Sequence, residues 1–505
     1  MIGNKTRALL IIAGLLGLSF LTRIGFLQQE LIDWDESTLV VVASSFANGH
    51  LPYGETWDLK PPMYFFILGE AMRIFGESLV TVRAVGALGW GLVGVFVYLI
   101  TCPRAGWRAG AIAGALTVIA AAPYPYQPTL TEHIAVPFLM AALWLLLRGR
   151  RSFWLLFGVG VLMSCATLTR TNLAFPTLAI GFYLASALLW PRPALKRFAV
   201  LPYILGGLLP LGAVISLYAS HGQLDLFITS NVWVPLSYAT QQRAAVVILA
   251  MVIASILAGA VRFPDIFGVM AVLAGTHAWR VLHFRQPRLW GGRILGFFRP
   301  IDTDHALITL IGLSTLLGMT MSGFFTWHHL LQLVPFIGCL AAFAFVADPP
   351  KWRFAVAAIA ILAALVRGLP GLVTVISNGP EAVAESYPIR QAAEQIQVDM
   401  HPDDKVLALY GQIVYAYLHM PPPAPIAVHP SNLVRESIEQ ALVAGGIAVP
   451  DTFGEIMRAR PRYILLANTE QWFLDNEAGQ ALFAIIASDY EPWQAYDAFT
   501  VFRLK

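Results

Sequence analysis

The chain has 505 residues, of which 57% are hydrophobic and only 12% charged, with a mean hydropathy of +0.66. Soluble globular chains carry about 25% charged residues, so a soluble multidomain enzyme, a coiled coil, a collagen-like chain and a disordered chain are all excluded as whole-chain readings. The net charge of +3 conceals a segregation: residues 378–505 hold 16 acids and 8 bases, a balance of −8, while the rest of the chain stands at +11. An acidic tail on a basic, apolar body points to a separate water-facing domain, and the excess of bases fits cytoplasmic loops rather than nucleic acid. The three cysteines, Cys102, Cys165 and Cys339, lie in or beside apolar runs, which excludes a disulfide framework and any metal-type cysteine spacing.

In chain order, Lys5 and Arg7 precede an apolar run that reads as an uncleaved first span. Runs of spanning length follow at 79–101, 107–122, 132–148, 152–169, 173–190, 198–219, 244–261, 264–283, 304–322, 328–346 and 353–376, twelve with the first at 8–27. Basic clusters at Arg104/Arg108, Arg148/Arg150/Arg151, Arg192/Lys196/Arg197 and Lys351/Arg353 are expected on the cytoplasmic side, as is the basic stretch Arg280–Arg299. Twelve crossings would return the tail to the cytoplasm. The charges are reconciled if 244–283 crosses once, which gives 11 crossings, with 13 as the alternative. The expected architecture is therefore an α-helical polytopic membrane protein with 11–13 transmembrane helices, residues 1–377, carrying a small α/β extracytoplasmic domain, residues 378–505. In that tail Ile389–Met400 reads as a helix, Lys405–Tyr410 as a strand, Ile413–Tyr417 and 431–445 as helical, and Tyr463–Ala467 and Phe499–Leu504 as two further strands.

Carboxylates in or near lipid are costly and usually functional. Eight of the 14 acids of the membrane body fall in or beside the first external loop, 28–78: Glu30, Asp33, Asp35, Glu36, Glu55, Asp58, Glu70 and Glu77. Asp35-Glu36 opens an amphipathic stretch; read locally it is also an ordinary helix N-terminal pair. Lys60-Pro61-Pro62 starts a second apolar helix, which leaves Lys60 beside free backbone N–H groups, an anion-binding arrangement. The pairing of His328 with His329 is not expected to make a metal site, because adjacent residues seldom converge on one ion. No metal is required, although a divalent ion stays compatible with the residues. In the tail, His401, Asp403, Asp404 and His429 are not read as catalytic; Pro402-Asp403-Asp404 is a turn ahead of a strand, and Trp472, Tyr490 and Trp493 are read as core packing rather than acceptor contacts.

Taken together, D-E at 35–36, L-P-Y at 51–53, K-P-P-M-Y at 60–64, Arg83 in TVRAVGAL, Thr131-Glu132 at the start of a span, LTRTN with Arg170, and GFFTWHHLLQLVPF at 323–336 resemble the GT-C glycosyltransferases of the family 39/83 type. That group includes protein O-mannosyltransferases and the aminoarabinose transferases that modify lipid A. The resemblance runs over residues 20–346, with a looser echo in HPDDKVLALYG of the tail. The chain departs from the pattern at Thr38, where the aminoarabinose enzymes carry an arginine, at His329 in place of a tyrosine, and in lacking the arginine of the late signature.

The resemblance implies an integral inner-membrane enzyme that moves a sugar from a polyprenyl-phosphate-linked donor to a lipid, polysaccharide or protein acceptor of the cell envelope, on the extracytoplasmic face and with inversion. It implies Asp35 as general base, with Glu36 and Glu132 as further catalytic acids. Lys60, Arg170, His328 and His329 would meet the donor phosphate, and Tyr53, Trp57, Tyr64 and Arg83 would bind substrate. The Pro-rich, aromatic stretch Pro123–Pro128 and the helix around Tyr64–Phe75 could line a groove for the lipid tail. Partners are the lipid-linked donor, an envelope acceptor and membrane lipids, with no nucleic acid. A membrane transporter or flippase for an envelope lipid or glycan is the competing class, but no repeat relates the two halves of the chain. A catalytically inactive scaffold is a third reading, and retention of the whole set Asp35, Glu36, Lys60, Glu132 and Arg170 argues against it.

Overall fold

The computed structural model describes residues 3–123, 127–190, 194–240, 244–284, 304–321, 325–345, 351–469, 475 and 477–505. Tyr124 and Tyr126 of the aromatic stretch, Arg192, the stretch from Arg285 to Arg299, Gly323 and Phe324 of the late signature, and Trp472 lie outside the described residues.

The chain is a multi-pass helical membrane protein. Each of the twelve apolar runs forms a helix. Among the described residues, eight helices are long and apolar enough to cross a bilayer: Asn4–Gln28, Leu79–Ala105, Thr131–Gly149, Thr171–Leu189, Val200–Ser220, Ala245–Arg262, Asp304–Met321 and Trp352–Asn378. The other four runs give shorter apolar helices, Trp107–Ile119, Phe153–Thr169, Pro264–Thr276 and Val334–Phe343. Helices are the required solution, because in lipid every backbone polar group must be satisfied within its own segment.

Contacts divide the chain into two compact units, each assembled from separate stretches of sequence. The first comprises Met1–Gly25, Gly86–Val214 and Gln242–Val373. Its core is a continuous cluster that includes Trp90, Leu139, Leu143, Met163, Ile311 and Phe336. Hydrophobic burial alone does not drive helices together in lipid, so close backbone approach matters. A Cβ on Gly160 would overlap the carbonyl oxygen of Tyr203, and one on Gly206 would overlap that of Phe157, so helices Phe153–Thr169 and Val200–Ser220 meet backbone to backbone. Gly318 plays the same part against the carbonyl of Asn172 and seats the segment after Arg170 on helix Asp304–Met321. Arg104 donates to Asp304 through Nε at 2.8 Å, and Arg150 pairs with the same carboxylate.

The second unit comprises Phe26–Val85, Ile215–Gln241 and Thr374–Lys505, so residues 28–78 and the tail belong to one body. Helix Trp34–Ala47 is capped by the Asp33 carboxylate, which accepts from the Asp35 N–H at 2.8 Å. Helix Met63–Phe75 begins directly after Pro61-Pro62, as the proline rule anticipates. Gly69 lets it lie on the Ala43 carbonyl and the Phe46 ring, and Arg73 closes the end of its neighbour by donating to Phe46 and Ala47 carbonyls at 2.6 and 2.8 Å.

The tail forms a small α/β fold with a four-stranded sheet. The strands are β1 (Val406–Ala408), β2 (Tyr463–Ala467), β3 (Tyr490–Ala495) and β4 (Phe499–Leu504), in the order β1-β2-β4-β3. β1 and β2 are parallel, and the other pairings are antiparallel. Helix Pro388–Asp399 and strands β1, β2 and β4 match the expected elements. The expected helix over 431–445 is a 3-10 turn, Pro430–Val434, followed by helix Glu436–Ala444. β3 was not anticipated. It is an edge strand with a register shift between Pro492 and Gln494, and proline with exposed polar neighbours hides the alternation that marks a strand.

The close helix crossing gives a direct test. Gly160→Ala is expected to lower thermal stability by about 1–3 kcal/mol. Gly212→Ala, at a helical position where a Cβ meets nothing within 4 Å, is expected to be neutral or slightly stabilising. Melting of both variants in detergent checks this.

Candidate functional site: two carboxylate clusters

The acids singled out in the sequence fall into two clusters, one in each unit. In the unit that holds residues 28–78, Asp35 and Glu36 occupy successive positions of helix Trp34–Ala47, and successive helical side chains diverge by about 100°. They consequently have different partners. Glu36 is buried and pairs with Arg83 at 3.0 Å. Arg83 is buried with it and also donates to the carbonyls of Gln29 at 2.5 Å, Glu30 at 3.2 Å and Phe26. Asp35 keeps 19% of its side chain exposed, and its Oδ1 lies 3.1 Å from Nε2 of His429. That histidine sits between two 3-10 turns of the tail, Pro425–Val428 and Pro430–Val434. Its Nδ1 lies 2.9 Å from the Ser431 hydroxyl. The sequence reading left His429 outside the site residues, and the structure sets its ring against Asp35. No local pattern marks it, because its partner is 394 positions away in sequence.

Lys60 is partly exposed, with its ammonium 3.5 Å from the buried Asp58 carboxylate, which also accepts from the Lys60 N–H at 2.9 Å. Burial pushes Asp33 up to about 7; the neighbouring Asp35 and Glu36 charges add to this, while the Asp35 backbone N–H and the Lys60 ammonium oppose it. Burial likewise pushes Glu30 up to about 7, against the N–H groups of Ile389 and Arg390 that its carboxylate accepts from at 2.7 and 2.9 Å.

Tyr53, Trp57 and Tyr64, expected to bind substrate, are fully buried. The Tyr53 hydroxyl donates to the Lys60 carbonyl at 2.9 Å, and its backbone holds a left-handed φ of 82°. The Trp57 indole donates to Ser230 at 2.9 Å on a π-helical turn, Thr229–Trp233, and its backbone N–H donates to the Pro425 carbonyl at 2.9 Å. Tyr64 packs edge-on against Phe65 with ring centres 5.7 Å apart. These contacts, and the four-way fixing of Arg83, set all four residues in the framework around the 53–62 loop and the helices beside it.

The second cluster lies in the other unit. Glu132 is fully buried in the first turn of helix Thr131–Gly149. Arg170 ends helix Phe153–Thr169 in an extended conformation, which turns its side chain to Glu132 at 2.9 Å and to the Thr131 hydroxyl at 2.6 Å. The 3-10 helix Trp327–Gln332 brings in His328, whose Nε2 is 4.0 Å from Glu132 and 2.9 Å from the Thr326 hydroxyl. The His329 ring stands nearly perpendicular to it at 4.8 Å. Beside them Asn172 donates to Gln332 at 2.9 Å, a pairing sequence reasoning missed. Glu132, His328 and His329 each present a ligand atom, all within 4.8 Å of one another, a convergence the sequence reading did not expect. Two imidazoles and a carboxylate are a donor set that suits Zn2+.

Residues 59–218 match the family model described as dolichyl-phosphate-mannose-protein mannosyltransferase. The fold also matches ArnT from Cupriavidus metallidurans bound to undecaprenyl phosphate, with a TM-score of 0.63 at 15% identity over 99% of this chain and 98% of that one. The apo form of the same protein gives 0.61 at 15% identity, over 98% and 97%. This chain has the GT-C glycosyltransferase fold. The Archaeoglobus fulgidus oligosaccharyltransferase in its apo form is a weaker likeness, at a TM-score of 0.49 and 13% identity over 91% of this chain and 69% of that one. No curated protein matches the sequence.

Two measurements test this description of the GT-C chain. Purified protein stripped of metal and then given Zn2+ is expected to retain about one ion per chain; Mg2+ should not be retained, and His328→Ala should lose the zinc. The raised Glu30 makes the fold bind more protons than the unfolded chain between about pH 4.5 and 7. Its contribution to stability is therefore present below about 4.5 and lost as pH rises to about 7, by an amount on the order of 3 kcal/mol. Thermal melts of wild type should show that fall, and Glu30→Gln should show a flatter profile.

Proposed function

We propose that this protein is an inverting glycosyltransferase that transfers a sugar from a polyprenyl-phosphate-linked donor to an envelope lipid, polysaccharide or protein, on the extracytoplasmic face of a bacterial inner membrane. The fold match to a protein crystallised with undecaprenyl phosphate supports the donor class. The observation that carries the assignment of chemistry is the unequal use of two adjacent carboxylates. Glu36 is buried and committed to Arg83, whereas Asp35 is partly exposed and oriented by a histidine.

Asp35 takes the proton of the acceptor hydroxyl as that oxygen attacks the anomeric carbon. The bond from the anomeric carbon to the phosphate oxygen breaks, and its electron pair leaves with the lipid phosphate. Lys60, Arg170, His328 and His329 supply the cations and N–H donors that such a departing anion demands. Glu132 holds Arg170 and, with the two histidines, would ligate a divalent ion, which supplies positive charge toward phosphate oxygen. Glu36 fixes the helix that carries Asp35. We assign residues 1–377 to the transferase body and 378–505 to an extracytoplasmic domain that completes the surroundings of Asp35 through His429.

The test is transfer from a panel of radiolabelled polyprenyl-phosphate sugars by purified protein in native lipids, with envelope membranes as acceptor, with and without EDTA. Wild type is expected to consume one donor, and Asp35→Asn to lose at least about 100-fold in rate. Equal turnover by the two would remove Asp35 as base. No consumption of any donor would favour a transporter.

A further inference from the structure

Asp35 is held by a short chain of groups from the far end of the sequence. Its Oδ1 meets Nε2 of His429 at 3.1 Å, and Nδ1 of that ring meets the Ser431 hydroxyl at 2.9 Å. Ser431 is fully buried and His429 nearly so. The Trp34 ring lies tilted against the imidazole, with centres 4.9 Å apart, and restrains its plane. The segment that carries the histidine is itself tied to the Asp35 helix. The Val428 carbonyl accepts from the Thr38 hydroxyl at 3.3 Å, and the Ile413 N–H donates to the Ser37 hydroxyl at 2.7 Å.

The donor and acceptor inventory fixes the direction of the chain. An ionised carboxylate only accepts, so Nε2 carries a proton toward Asp35. A neutral ring then has a lone pair on Nδ1, which accepts the Ser431 hydroxyl proton. We propose that His429 is a positioning residue for Asp35: it anchors one carboxylate oxygen and so sets the direction of the second, with Ser431 selecting the tautomer that makes this possible. A carboxylate on a helical side chain has two rotatable bonds, and general-base catalysis demands that one oxygen lie within hydrogen-bond reach of the acceptor hydroxyl. The arrangement follows the logic by which an acid, an imidazole and a hydroxyl orient one another in other enzymes, here with the carboxylate as the reacting end. This inference rests on the reading of Asp35 as the base.

The experiment measures kcat and the donor KM of His429→Ala, His429→Gln, Ser431→Ala and Asp35→Asn, using the radiolabelled polyprenyl-phosphate sugar that wild type consumes, with envelope membranes as acceptor. Melting curves are recorded for each. His429→Ala is expected to lose about 10- to 100-fold in kcat with the donor KM unchanged. His429→Gln, whose amide N–H can still donate to Asp35, should recover part of that loss. Ser431→Ala should fall between wild type and His429→Ala and should alter the acid limb of the pH–rate profile. The charged groups around this helix start are Asp33, which caps it, Glu36 on it, Lys60 on the following loop and Arg83, which pairs with Glu36, and all are unchanged in these variants. A purely structural histidine would instead lower the melting temperature of both His429 variants alike, with no recovery by glutamine, and that outcome overturns the proposal. So does a His429→Ala kcat within twofold of wild type beside an inactive Asp35→Asn. Full activity of Asp35→Asn overturns the base and the positioning role together. Should His429→Ala not fold, Ser431→Ala decides: an unchanged kcat and pH profile there overturn the proposal.

Discussion

The buried ion pair between Glu36 and Arg83 organises the unit that holds residues 28–78. Arg83, from the start of a spanning helix, collects the Glu36 carboxylate and the carbonyls of Phe26, Gln29 and Glu30. One guanidinium thereby fixes the segment after the first helix and the helix that carries Asp35. Removing one partner of such a pair leaves an uncompensated charge and costs about 3–5 kcal/mol. The pair also decides which carboxylate is left for chemistry. Arg83 holds Glu36 in a buried setting, whereas Asp35, the residue before it on the helix, takes a different partner, His429.

The same rule, that a buried charge must find a partner, explains the cluster in the other unit. Glu132 is fully buried in a membrane helix, where an isolated carboxylate is not tolerated. Arg170 meets it because its own helix stops one residue earlier and the backbone goes extended, redirecting the side chain. The chain break that follows is stabilised by contact between Gly318 and the Asn172 carbonyl. Packing of small residues, helix termination and charge pairing are thus one device at this position.

Much of this was legible in the sequence. The twelve apolar runs each became a helix, because hydrophobic length is a local property. Proline at 61–62 announced the start of helix Met63–Phe75, and the alternation in FTVFRL announced β4. What failed was whatever depends on distant partners. His328 and His329 meet Glu132 because both are carried by the 3-10 helix Trp327–Gln332, which no local pattern announces. Tyr53 and Trp57 looked like substrate contacts because aromatics in a long loop invite that reading, yet Asn231 engages Tyr53, and Ser230 and Pro425 engage Trp57, all from remote segments. His429 carried no local signal, since its meaning comes from a helix almost four hundred residues earlier.

The crowding of acids in the loop raises an electrostatic question that the geometry answers. Asp33, Asp35 and Glu36 lie within four positions, and like charges so close oppose one another. Each is treated differently. Arg83 neutralises Glu36. Asp33 is buried and pushed up to about 7, so near neutral pH it carries a proton for a substantial part of the time, and as a carboxylic acid it still caps the helix by accepting the Asp35 N–H. A proton on Asp33 removes one negative charge from beside Asp35, and Lys60 tempers what remains. His429 then supplies an N–H to Asp35, which keeps 19% of its side chain exposed. The repulsion that would otherwise splay the loop is absorbed by burial, pairing and protonation at the two flanking acids, and the chemistry is concentrated on the middle one.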